Sequence, residues 1–246
     1  MKKKKAILKI VKWTSLFTIL VVGIICFLLS PFFNIKNINV KGNEKINENE
    51  IISLSEIKLE ENTFKVNQRE TEKLIKQNAY IDKVLIKRKL PNTIEITVEE
   101  REPSYILNFA NAYVYISSQG YLLEITNQQL NLPVITGYET SEENIKVGNR
   151  LCKEDLIKLE GLLKIMEAAN SNELSNLITQ ININDKNNYI LELESEKKTV
   201  HVGDTSNLST KMLYILKIIE EEKENKGEIL VNTDLNNKGA VFREKV

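Results

Sequence analysis

"VLIKRKLPNTIEITVEEREP", Val84–Pro103, sets a basic arm and an acidic arm on either side of a Pro-Asn. Val84 and Ile86 share one face of the first arm, and Ile94, Ile96 and Val98 share one face of the second. Side chains alternate along a strand, so the two apolar faces coincide only if paired residue numbers sum to an even value. Pairing Ile86 with Ile96 and Val84 with Val98 satisfies this. It places Lys87 opposite Glu95 and Lys83 opposite Glu99. Opposite charges across a strand pair contribute roughly 0.2–1 kcal/mol each. The charges then read as the solvated face of a half-buried hairpin, with a charged docking face as the alternative. Arg88 breaks the pattern, because it has the parity of the apolar face. Its stem is expected to pack while its head reaches water or a carboxylate in a structural ion pair.

Working outward, the chain has 246 residues, enough for one large or two small cored domains. Its formal charge is zero but uneven. Residues 1–12 hold six lysines and no acid, so 28 basic residues face all 34 acidic ones in the rest. An acidic body argues against nucleic acid as the main partner. From Trp13 to Ile35 there is no charged residue. About 20 helical residues cross a hydrocarbon core, so 13–33 is expected to be a transmembrane helix that Pro31 stops. Trp13 and Phe32–Phe33 suit the two interfaces, and the lysine excess places the N-terminal tail, 1–12, in the cytoplasm and the bulk outside. The rival reading is a cleaved signal peptide. The run is longer than the usual apolar region of about 7–15 residues and lacks a small-x-small site.

After the span, "FNIKNINVKGN" (Phe33–Asn43) alternates like a strand and stops at a turn. Asn47 with Glu50, and Asn67 with Glu70, resemble capping boxes that open two helices. The hairpin follows, giving strand, helix, helix, strand, strand. From Ser104 on, strands are expected at "SYILNF", "AYVYIS", "GYLLEI", "LPVITG", "NLITQINI", "NYILELE", "KTVHVG", "GEILVNTDL" and "GAVFRE". Two helices interrupt them. One should bury a stripe of Leu156, Leu159, Leu163 and Met166, the other a stripe of Leu208, Met212, Ile215, Leu216 and Ile219.

Chemistry is sparse. No glycine-rich phosphate loop, HExxH or G-x-S-x-G occurs. Cys26 and Cys152 are far apart, so no disulfide framework is implied. The single histidine, His201, lies in "TVHVGD" and reads as a surface or half-buried strand residue. Asp185, Asp204 and Asp234 form no recognisable pair. Cys152 opens a helix and reads as a packing residue. No catalytic, cofactor or metal residues are assigned.

The residues of Tyr80–Pro103 resemble the end of the POTRA domain in the bacterial cell-division proteins FtsQ and DivIB. Ile81, Val84, Ile86, Arg88 and Pro91 fall on that family's first pattern, and Ile96, Val98, Glu100, Arg101 and Pro103 on its second. Val84 replaces a small residue and Leu90 an aromatic one. "FNIKNINVKGN", "YVYISSQGYLLEI", "LPVITG", Lys211 and "NTDLNNKGAVFRE" are similar to further segments in the family's order. The resemblance implies an α+β fold: a single N-terminal transmembrane helix, a β-α-α-β-β POTRA domain over 34–103, and a mixed α/β domain with a curved sheet over 104–246. Only one POTRA-like unit is present, which argues against an outer-membrane assembly factor.

The same resemblance implies a non-enzymatic divisome protein at the septum. It would join single-span coiled-coil partners of the FtsL and FtsB/DivIC type and support septal wall synthesis, with no cofactor and no small-molecule substrate. Arg88, Pro91, Glu100, Arg101 and Pro103 would then be structural. Partner binding by strand addition to a sheet edge is assigned to Ala240, Val241, Phe242 and Arg243, with Val241 and Phe242 offering one apolar side chain to each face. The alternative for that strand is burial against its own sheet. The alternative function is an extracytoplasmic wall-binding or wall-modifying protein.

Overall fold

In the computed structural model the ribbon pairs as parity requires. Strands β2 (Ile81–Lys89) and β3 (Thr93–Glu100) are antiparallel, with Lys83 opposite Glu99, Val84 opposite Val98, Ile86 opposite Ile96 and Lys87 opposite Glu95. Val84, Ile86, Ile94, Ile96 and Val98 are all buried. Lys83 Nζ meets Glu99 at 2.7 Å. Glu95 is engaged elsewhere: it pairs with Lys41 at 2.7 Å and Lys89 at 3.7 Å, so facing Lys87 produces no ion pair. The structure describes residues 2–233 and 239–245, with no account of the side chains of 2–10. Asp234, in the expected strand "GEILVNTDL", lies outside the described residues.

The chain divides into two compact units, Met1–Glu100 and Arg101–Val246. The first holds helix α1 (Lys2–Leu28), strand β1 (Asn37–Lys41), helices α2 (Glu48–Ser55) and α3 (Gln68–Ile75), then β2 and β3. The α1 helix stops at Leu28, short of the expected end near Phe33. Pro31–Phe33 forms a 3-10 turn instead, and Phe33 is buried. Its apolar window, Val11–Leu28, is long and apolar enough to cross a membrane, and none of it is buried. The three strands order β1-β3-β2, with β1 parallel to β3. Asn67 accepts from the Glu70 N–H as a cap should, at 3.4 Å. Asn47 caps the Asn49 N–H at 2.8 Å instead, which frees Glu50 to accept from Asn78 at 2.9 Å.

The second unit contains β4 (Pro103–Phe109), β5 (Ala112–Ser117), β6 (Leu122–Thr126), β7 (Val134–Thr136), helix α4 (Lys153–Ser171), β8 (Gln180–Asn182), β9 (Tyr189–Leu193), β10 (Lys198–Gly203), helix α5 (Leu208–Glu221), β11 (Gly227–Leu230) and β12 (Val241–Glu244). Its nine strands order β12-β11-β10-β9-β8-β7-β4-β5-β6. Both helices pack into one cluster with Leu107, Val114, Ile135, Ile181, Leu191, Val200 and Ile229. Register places those residues on a single face of the sheet. The buried positions of α4 are Asp155, Lys158, Leu159, Leu162, Ile165 and Ala169. Of the expected stripe only Leu159 is fully buried; Leu156, Leu163 and Met166 flank the core. The helix is turned because Asp155 finds partners inside. Its carboxylate accepts from the N–H groups of Glu139 (2.8 Å) and Thr140 (2.7 Å) and from the Thr140 hydroxyl (2.6 Å). The α5 stripe is nearer to expectation, with Met212, Ile215, Ile218 and Ile219 buried beside Lys211.

Candidate partner-binding edge

Strand β12 ends the nine-stranded sheet, and among the described residues no strand lies on its outer side. It runs antiparallel to β11, with Gly227 opposite Glu244, Glu228 opposite Arg243, Ile229 opposite Phe242 and Leu230 opposite Val241. Ile229 lies in the core cluster, and its partner Phe242 packs against the same cluster. Val241 and Arg243 therefore project from the opposite face. Val241 is 37% exposed, Arg243 is exposed, and Ala240 precedes the strand, half-buried. The edge is thus neither wholly free nor buried: Phe242 nails it down, and its neighbours face out.

Main-chain direction follows from two hydrogen bonds. The Lys245 N–H donates to the Lys226 carbonyl at 2.8 Å, and the Gly227 N–H turns away to Lys197 of the preceding connection at 3.2 Å. Hydrogen-bonded and non-hydrogen-bonded pairs alternate along an antiparallel ladder. Val241, Arg243 and Lys245 thus point their main-chain groups at β11, while Phe242 and Glu244 point theirs outward.

Three residues that sequence reasoning passed over shape this edge. The Lys198 ammonium is buried and donates to the carbonyls of Glu222 (2.8 Å), Glu196 (3.0 Å) and Asn225 (3.1 Å), which binds the end of α5 and the connection after it to the start of β10. It also lies 5.9 Å from the Phe242 ring centroid. Parity carried a signal here, since Lys198 shares the inward face of Val200 and Val202. Gly227 leaves space for Phe242, whose ring would lie 2.6 Å from a Cβ there. Glu228 pairs with Lys245 at 2.8 Å. That hydrogen bond, then the charge itself, lowers the Glu228 carboxyl and raises the Lys245 ammonium from their ordinary values. His201 Nε2 lies 3.9 Å from Glu228, on the same half-buried face.

The motif residues are spread over both units. Among the described residues Arg88 finds no carboxylate: its guanidinium donates to the carbonyls of Thr63 (3.0 Å) and Val66 (2.7 Å), fastening the segment before α3 to β2. Glu100 accepts from the N–H groups of Glu44 (3.2 Å), Lys45 (2.8 Å) and Ile46 (3.0 Å). Pro91 follows a cis peptide bond in the ribbon's turn, and Pro103 opens β4. Arg101 donates to Gln119 at 3.1 Å and lies 4.0 Å from the Tyr121 ring centroid. Cys152 is half-buried at the start of α4. Among the described residues no group of three His, Cys, Asp or Glu could hold a metal ion. A cavity of about 440 Å³ between residues 129–134 and β8 has a mixed lining of amides, hydroxyls and aliphatic side chains such as Leu132, Met166 and Ile178, with one carboxylate, Glu194, and no aromatic ring.

Comparison with known proteins joins these pieces. Residues 33–101 match the POTRA domain of FtsQ type, and residues 102–229 match the domain described as FtsQ/DivIB, C-terminal related. The chain belongs to the FtsQ/DivIB family. Cell division protein DivIB of Clostridium botulinum (strain Loch Maree) is 31% identical over 240 residues, covering 96% of this chain and 91% of the relative. DivIB of Clostridium tetani is 28% identical over 231 residues, covering 92% and 86%. DivIB of Bacillus subtilis is 30% identical over 153 residues, covering 61% and 57%. The α+β fold of an FtsQ/DivIB protein is therefore present along the chain, with an N-terminal helix that fits a single-pass membrane protein.

Proposed function

We propose that this FtsQ/DivIB protein is a non-enzymatic, membrane-anchored scaffold of the division machinery. Its α1 helix spans the cell membrane with the lysine-rich tail inside, and the two folded units work outside, at the septum. There it holds single-span coiled-coil division proteins of the FtsL and FtsB/DivIC type in place for wall synthesis. The observation that carries this reading is the β12 edge. A strand added there would bond to the outward main-chain groups of Phe242 and Glu244 and pack beside Val241 and Arg243. Phe242 and Lys198 hold the template still, so less order has to be imposed on binding.

The experiment is a pulldown with Glu244→Pro. Proline removes an outward N–H without touching the bonds to β11. Recovery of FtsL- and FtsB/DivIC-type partners should fall with Glu244→Pro and persist with Glu244→Ala. Equal recovery by both folded variants would exclude the edge.

A further inference from the structure

We infer that the first folded unit is seated on the outer leaflet of the bilayer that α1 crosses, without a flexible linker, through the collar of residues 27–34. This rests on the reading of α1 as a membrane span. The uncharged helical stretch Trp13–Leu28 rises about 24 Å, a little short of the roughly 30 Å of a hydrocarbon core. The hydrocarbon thus ends at or just beyond the end of the helix. Phe33, buried in the folded unit, comes only five residues later, and the intervening chain is a compact turn. At about 2 Å per residue such a turn climbs roughly 10 Å. The headgroup layer of one leaflet is roughly 5–8 Å deep. The underside of the unit therefore meets the headgroups.

The bonding of the collar supports a fixed seat. Helices end with carbonyls that lack partners. Here Asn62, 6% exposed, donates its amide to the carbonyls of Leu28 (3.0 Å) and Ser30 (3.4 Å). The same side chain accepts from the Phe64 N–H at 3.0 Å. The Thr63 hydroxyl donates to the Phe33 carbonyl at 2.7 Å, and Ile35 exchanges backbone bonds with Glu60 and Glu61 at 2.8 Å each. An aromatic chain runs the same way: Phe27 to Phe33 at 5.3 Å between centroids, and Phe33 to Phe64 at 5.2 Å. Phe27 and Phe32, stacked at 6.2 Å, remain exposed, Phe32 at 61%. Lipid at the interface is the partner that suits an exposed aromatic pair next to a membrane helix.

The test uses the full chain in phosphatidylethanolamine–phosphatidylglycerol vesicles. Trp13, the one native tryptophan, is replaced by Phe, and Phe32→Trp supplies a reporter. Seated as inferred, the reporter is quenched more by nitroxide on headgroups than by nitroxide deep in acyl chains. Its quenching by aqueous iodide is severalfold weaker than for free tryptophan. Asn62→Asp keeps the acceptor for Phe64 but loses both donated bonds, and should raise iodide quenching severalfold. A reporter as open to iodide as free tryptophan, in a chain that resists alkaline extraction, would overturn the seat alone. Release of the native chain by alkali would overturn the span and the seat together. Unchanged quenching in Asn62→Asp would remove Asn62 from the collar.

Discussion

Single residues decide more here through burial than through chemistry. Asp155 is fully buried in α4 and ties that helix to residues 139–140. Burial by itself would push its carboxyl up. The Thr140 hydroxyl, the N–H groups of Glu139 and Thr140, and the Cys152 side chain outweigh this and hold it below its ordinary 3.8. A carboxyl lowered by folding adds stability above its unfolded value and loses that contribution as pH falls through the lowered native value. Asp155→Ala should cost about 1–3 kcal/mol at neutral pH, the range for leaving buried donors unsatisfied. Urea unfolding of the detergent-solubilised chain measures it, and the gap to the wild type should narrow below pH 3.8. Nothing in the sequence pattern singled out Asp155. Its acceptor role depends on a loop that no helical period describes.

Among the elements, β12 depends on a missing side chain in its neighbour. Gly227 has no positive φ, so its role is space. A Cβ there would strike the Phe242 ring and the Arg243 carbonyl. Overpacking of this kind costs about 1–3 kcal/mol. Gly227→Ala should therefore loosen β12. Amide exchange should speed up at Val241, Arg243 and Lys245, which donate to β11, while β9 and β10 keep their protection. The hairpin of β2 and β3 shows the opposite case. Its paired faces were legible, because a period of two admits only even-sum registers, and the pairing offered from the sequence is the one that forms. The helices were legible as elements and less so as faces. The leucine pattern of α4 pointed to one stripe, and the buried Asp155 and Lys158 turned it to another.

For the whole molecule, the proposed membrane span of α1 would set where the folded units act. Val21→Arg would place a charge near the middle of its apolar window, at about 2.5–3.5 kcal/mol of insertion free energy. Fractionation should find more of this variant in the soluble and alkali-released pools than of the wild type. The partner scaffold predicts the companion result: a chain released from the membrane no longer recovers single-span division proteins, even with β12 intact.

Taken alone, the amino-acid order determined what depends on neighbours: the apolar stretch, the paired faces of the ribbon, and the succession of strands and helices. These follow from periods of 2 and 3.6 and from turn residues, all readable within a short window. Only the tertiary structure decided that β1 lies parallel to β3, that β4 enters between β7 and β5, and that Arg88 serves two carbonyls. The same holds for the capture of the end of α1 by Asn62. Such choices join segments tens of residues apart. They are settled by which buried donors and acceptors must be paired, and no local pattern records that.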